Sequence, residues 1–393
     1  MRHPVEHTRR DLLTERRKAV GLSQGELART LGVERSTVIR WEAGRTAPQP
    51  WVRPSLAEAL QVSSEQLDDL LRPPAEGDAS VDRRAFAGLA TAVALAPLSR
   101  ARTGSQIGAT QVRQLRHRTA RLRRLDDHLG GMDTYAVYTS EMAATERLIK
   151  ASSYDTATAR ALTGVLAEQA QMAGWAAFDA GRLADSRKHY RRALDAARDS
   201  GDAGLEGNSL AFLAYEKADQ QTAAESTRIA GARTTPRVRA LLHERLAWTY
   251  AVGGQAYHAE KALQAAAEAV RETASAPEPD FVFWVDELEV DIMTGRCLAE
   301  LGAASRAVPV LEGSLRRYDD THSRDKSLYL TWLAQAHLDA DEPERAAAVV
   351  EHALDLAAGV GSVRPGDRLR GVLRRLAQYG GPEVAAVLER ARS

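Results

Sequence analysis

Cysteine, asparagine and lysine are almost missing from this chain of 393 residues, which has one Cys (Cys297), one Asn (Asn208) and six Lys beside 47 Arg. One cysteine excludes an internal disulfide framework, and no Cys/His cluster has zinc-ligand spacing, so no structural metal is expected. A chain without disulfides suits a reducing compartment, and the cytoplasm is the expected location. No apolar run reaches the ~20 residues that cross a bilayer, so no membrane association is expected. Catalytic templates are missing too: there is no Gly-rich phosphate loop, no Gly-x-Ser-x-Gly and no His-Glu-x-x-His, and the ten His are scattered. The expectation is therefore a protein that is not an enzyme, with no catalytic residues, no cofactor and no metal. Formal net charge is zero, so attraction to a polyanion has to come from local patches. At this length, with 44% hydrophobic residues, two or three domains with ample cores are expected.

What is present begins near the N-terminus. Ser23 caps a helix and Glu26, three residues on, reaches back to it, a capping box that fixes where the helix starts. Leu27, Ala28 and Leu31 form its buried stripe, and Gly32 supplies a turn without a Cβ. In the next short helix Val38 and Trp41 point inward, which leaves Arg35, Ser36, Thr37 and Arg40 on or near the outer face. Gly44, Pro48 and Pro50 end this unit, Pro54 suits the first turn of a fourth helix, and Ser63 with Gln66 opens a fifth. Five short helices thus fit in residues 8–72. Residues 1–53 carry eleven Arg and Lys against six Asp and Glu, the local excess that phosphate neutralisation needs. The other reading of this module is a bundle that only contacts protein.

The stretch resembles the Xre/Cro-type helix-turn-helix repressors, in which Ser-Gln opens helix two and Trp-Glu-x-Gly closes the recognition helix. Here those residues are Ser23-Gln24 and Trp41-Glu42-Ala43-Gly44. The resemblance implies double-stranded DNA as partner, with Gln24 on a phosphate, Arg35, Ser36 and Arg40 at base edges, Thr37 and Arg45 beside them, and Glu42 paired with Arg17. Glu34 departs from the pattern, which has a short capping residue there. A single recognition helix reads few base pairs, so a homodimer on two half-sites is expected.

Residues 73–109 read as a linker: proline and glycine at 73–78, then an apolar segment at 85–96 behind Arg83-Arg84. The segment looks like a twin-arginine export signal but lies past residue 80, so it is read as a buried connecting helix and possible dimer surface. Residues 83–125 contain ten Arg and no acid. Val112, Leu115, Leu122, Leu125 and Leu129 give that region an apolar helical stripe, which leaves its arginines as a solvated face or a supplementary phosphate contact.

Residues 154–393 show paired helices and no strand alternation, and the repeat domain is expected to span residues 110–393. With Gly181, Gln221, Gly254, Gly302 and Asp341 as turn markers, the residues seven earlier are Gly174, Ala214, Ala247, Gly295 and Ala334. Those five later are Ser186, Ser226, Ala259, Ala307 and Ala346. All ten are small, so paired helices can approach closely. The pattern resembles degenerate tetratricopeptide repeats, most clearly over 173–194. The expected fold is all-α: a five-helix helix-turn-helix domain and a C-terminal tetratricopeptide-like α-solenoid.

That combination resembles the single-chain regulators of actinobacteria and, more distantly, Gram-positive peptide-sensing regulators. The resemblance implies a regulator whose DNA affinity responds to a small molecule, a short peptide or a protein in the repeat groove. Peptide-binding members use several Asn, whereas Asn208 stands alone here. In such an array the first helix of each pair lines the groove. The expected lining is Gln171, Trp175, Phe178, Asp179, Asn208, Tyr215, Glu244, Trp248, Glu289, Arg296, Thr331 and Gln335. The alternative function is a scaffold whose repeats hold another protein, with the DNA module as a tether.

Overall fold

The computed structural model describes residues 11–42, 48, 52–71, 106–127, 129–320 and 322–392. Arg45, Gly44, Pro50, the 73–78 linker and the 85–96 segment lie outside these. Two units divide the described residues: 11–71 with 117–127, and 106–116 with 129–392. Among the described residues there is no strand, only an isolated bridge between Gln106 and Ser153. None of their helices is long and apolar enough to cross a membrane.

The first unit contains α1 (Asp11–Ala19), α2 (Gln24–Leu31), α3 (Arg35–Glu42), α4 (Arg53–Leu60) and α5 (Ser64–Leu71). Both halves of the Ser23/Glu26 capping box are made, and Gly32 closes α2 with φ +65°. Ser63 and Gln66 exchange the same pair of bonds before α5. Leu13, Leu27, Val38, Leu56, Leu60 and Leu67 are buried in the core, each contributing about 1.5–3 kcal/mol. Leu31 is only half-buried. Arg16 is also buried, because its guanidinium donates to the Leu60 and Gln61 carbonyls and so caps the end of α4. The helix α6 (Ala109–Arg123) contributes its residues from His117 onward to this unit. Val112, Leu115 and Leu122 on this helix are buried, as are Leu125 in the 3₁₀ turn Arg124–Asp127 that follows and Leu129 beyond it, so the predicted stripe outruns the helix.

The second unit is built of helical hairpins. After α7 (Gly131–Ala151) come α8 (Thr156–Asp179) with α9 (Leu183–Ser200), α10 (Ala203–Tyr215) with α11 (Gln220–Ala230), and α12 (Pro236–Val252) with α13 (Ala256–Arg271). Then follow α14 (Glu287–Glu300) with α15 (Ala304–Arg317), α16 (Ser323–Asp339) with α17 (Pro343–Ala357), and α18 (Arg364–Leu376) with α19 (Pro382–Arg390). Aspartates cap α8, α10, α11 and α14 by accepting from a backbone N–H three residues on.

All ten predicted small residues are buried. A Cβ at Gly174 would lie 2.4 Å from the Tyr190 ring, so this pair can close only around a glycine. Gly181, Gly254, Gly302 and Asp341 turn with positive φ as expected, but in the second hairpin that residue is Ala218 (φ +50°), and Gln221 lies inside α11. The register there moves by three residues because the Asp219 side chain caps α11. Ala211 and Ala223 then take the small positions, and both are buried. In the longest interval between turns, residues 272–286 include a 3₁₀ turn at Asp280–Val282 that buries Phe281, Val282 and Val285.

The last hairpin returns to the first. The Val363 N–H donates to the Asp179 carbonyl at 3.0 Å and the Met132 N–H to the Gly361 carbonyl at 2.8 Å. The Asp179 carboxylate accepts from the Gly131 N–H and the Ser362 hydroxyl, each at 2.8 Å. A Cβ at Gly130 would lie 2.1 Å from Gly361, so the contact is backbone against backbone.

Candidate functional site

In the first unit one carboxylate fixes the geometry. Glu42, at the end of α3, accepts from Arg17 of α1 through Nε at 2.5 Å and Nη2 at 3.2 Å. It also accepts from Gln24 Nε2 of α2 at 2.7 Å. Arg17 and Glu42 are both buried, so a bidentate ion pair joins α1 to α3, and the Gln24 bond ties α2 to the same carboxylate. The Glu42–Arg17 pairing that the resemblance implied is present. No spacing rule marks the bond from Gln24, and it leaves the second N–H of that carboxamide for a phosphate.

With Val38, Trp41 and Glu42 turned inward, α3 presents Arg35, Ser36, Ile39 and Arg40 to solvent. Residues i, i+1, i+4 and i+5 share one helical face. Thr37 is half-buried at its edge and accepts from Arg40 Nη2 at 3.1 Å, which sets the direction of that guanidinium. Ile39 was not singled out from the sequence. It is 41% exposed although apolar, and its position four residues after Arg35 was the available signal. The face therefore carries two guanidinium forks, a hydroxyl and one methyl-rich side chain, which are the groups that read base edges and thymine methyls.

In the second unit the first helices of successive hairpins bring the expected inner-face residues together as a packed layer. Gln171 donates to the Leu205 carbonyl and to Ser209 Oγ and accepts from Asn208 Nδ2 at 2.9 Å, so Gln171 and Asn208 spend their amides on each other and on α10. Trp175, half-buried, packs against Phe178, Phe212 and Tyr215 with ring centroids 5.7–6.3 Å apart, and the Arg364 guanidinium lies 4.7 Å from it. The Tyr215 hydroxyl accepts from Arg296 at 2.8 Å and Arg364 at 3.3 Å. Burial pushes this phenol up, but Arg296, Arg364 and Arg245 outweigh it and bring it to about 8. Arg296 also lies over Trp332, Trp248 and Tyr329 at 4.2–5.4 Å. Thr331 is buried, donates to the Leu328 carbonyl and accepts from Arg368, while Gln335 bridges Arg368 and the Ala299 carbonyl.

Two carboxylates in this layer are unusual. Glu244 is fully buried and neither oxygen has a hydrogen-bond partner. Burial, followed by the neighbouring Glu289, pushes its carboxyl well above the usual range. Burial likewise lifts Glu289 to about 7 against the pull of Arg245 and Arg296, and the Tyr329 hydroxyl donates to it at 3.2 Å. Both acids are thus biased toward the neutral form. Burial also pushes the Cys297 thiol up to about 12, which makes it a poor nucleophile.

Comparison with known proteins gives two findings. The helix-turn-helix domain family matches residues 10–70. An HTH-type transcriptional regulator of Methanothermobacter thermautotrophicus is 41% identical over 61 residues, which are 16% of this chain and 86% of that protein. The match covers the segment where the capping box, the Glu42 lock and the exposed face of α3 occur. On that similarity the chain belongs to the helix-turn-helix transcriptional regulators.

Proposed function

We propose that this protein is a sequence-specific regulator of transcription that binds double-stranded DNA through α2 and α3. The single observation that carries the reading is the exposed row Arg35, Ser36, Ile39 and Arg40 on a helix whose opposite side is locked by Glu42. A rigid helix with forked donors on one face suits the major groove, where each base pair shows its own donor and acceptor pattern. Gln24 at the start of α2 takes a phosphate and sets the register. The regulator is cytoplasmic and not an enzyme, and it binds as a homodimer, because one short helix reads too few base pairs for useful discrimination.

The hairpins of the second unit form a degenerate tetratricopeptide-type array that makes DNA affinity respond to a ligand or protein. The buried small residues of each hairpin support the repeat type. The contacts from the last hairpin back to the first support the response: a ligand that favours their opening shifts the equilibrium by its differential affinity, typically about 1–3 kcal/mol.

Selection of binding sites from random duplexes with the full chain tests the reading. The expected product is a symmetric pair of half-sites about 34 Å apart, or a multiple of that. Absence of any enriched sequence would refute DNA reading. One isolated half-site would refute the dimer only.

A further inference from the structure

The second unit holds a pocket of about 550 Å³ beside α18, opposite Gln335 of α16. It is a groove open to solvent, with Asp367, Arg374 and Gln378 of its lining exposed. The helix α18 supplies most of the wall and carries five Arg against one Asp. The nearby acids are already taken. Asp367 accepts from Arg370, Asp339 from Arg375 and Glu300 from Arg368. Arg374, which also lines the pocket, is exposed, has no ion pair among the described residues, and donates through Nε to the Arg370 carbonyl. It is the surplus positive charge of the site.

Arg368 is the second element. Its guanidinium stacks 3.8 Å from the Trp332 ring and donates to Thr331, Glu300 and Gln335 at 2.8–3.0 Å. Those bonds use three of its five N–H groups. The remaining donors sit on a fork already fixed in direction, so little side-chain freedom is lost when an acceptor arrives. Gln378 adds a carboxamide, and Gly371 and Val372 give a stretch of wall without charge.

We propose that this pocket binds a small anionic ligand through a carboxylate or phosphate group, with Arg374 as the charge partner and Arg368 as the preset fork. The inference deepens the reading of the repeat unit as ligand-responsive and rests on it for its regulatory meaning. Binding itself is read without DNA.

The test is calorimetric titration of the full chain with citrate and, separately, inorganic phosphate, against sodium chloride of equal ionic strength. Wild type is compared with Arg374→Ala and Gly371→Leu. A Cβ at Gly371 meets nothing within 4 Å, and leucine favours helix over glycine, so the second variant narrows the pocket and keeps the fold. The expected result is saturable binding of at least one acid by wild type, weakened tenfold or more in both variants, with their melting temperatures no lower. Preference for citrate assigns a carboxylate ligand, and preference for phosphate a phosphorylated one. No saturable heat from either acid, or equal binding by all three proteins, overturns the proposal. DNA binding retained alongside failed acid binding would remove the pocket and leave the regulator standing. Acid binding without DNA binding would do the reverse.

Discussion

At the scale of single residues, the side chains with the largest consequences are buried acids. Glu42 is paired, so its loss strands Arg17 in the core and Glu42→Ala should destabilise the first unit by about 3–5 kcal/mol. A melt of the full chain that shows an unchanged first-unit transition would contradict this. Glu244 and Glu289 are held toward the neutral form instead. Each is protonated in the fold at a pH where the unfolded chain has released its proton. Their contribution is fully present below the usual carboxylate range, near 4.5, and is lost as pH rises through about 7 for Glu289. Glu244→Gln and Glu289→Gln remove that loss. Glu289→Gln should be more stable than wild type at pH 8 by roughly 1–3 kcal/mol, Glu244→Gln should shift in the same direction, and both should be close to wild type at pH 4.5. Parallel melting curves from pH 4.5 to 8 would count against buried neutral acids. The Ser23/Glu26 box was legible because capping follows a fixed three-residue spacing. The bond from Gln24 to Glu42 spans 18 residues and follows none.

Among the elements, hairpin packing was legible from the small residues and the turn register was not. Small side chains at seven before and five after a turn mark where two helix axes approach, and such residues occupy these places in the first five hairpins. Ala218 went unread because alanine seldom takes positive φ, and the turn exists because Asp219 caps the next helix. Glycines that look alike in the sequence should therefore behave differently. Gly174→Ala drives a methyl into Tyr190 and should cost about 1–3 kcal/mol. Gly313→Ala, in α15 where a Cβ meets nothing within 4 Å, should stabilise by about 0.5–1 kcal/mol. Equal shifts in melting temperature would show that the hairpins do not close around Gly174. The residues expected along an inner face were chosen by helical position alone, and their mutual packing was not legible, because Arg364 reaches Trp175 from a helix nearly 190 residues later.

For the whole molecule, helix-turn-helix and repeat units were both recognisable, one from a motif and the other from a period. The two differ in how far function can be read from them. A recognition helix carries its partner's chemistry on its face, whereas repeats expose a ligand only through what their pockets leave unpaired. DNA reading by α3 is measured most directly by fluorescence anisotropy of the full chain on its selected operator and on a scrambled duplex at one fixed salt concentration. Wild type should prefer the operator by at least about 10³-fold. Arg35→Ala and Arg40→Ala should each lose about 1–3 kcal/mol of discrimination at one base pair per half-site, while Gln24→Ala weakens both duplexes alike. Equal affinity of wild type for the two duplexes, or unchanged discrimination in both arginine variants, would contradict it.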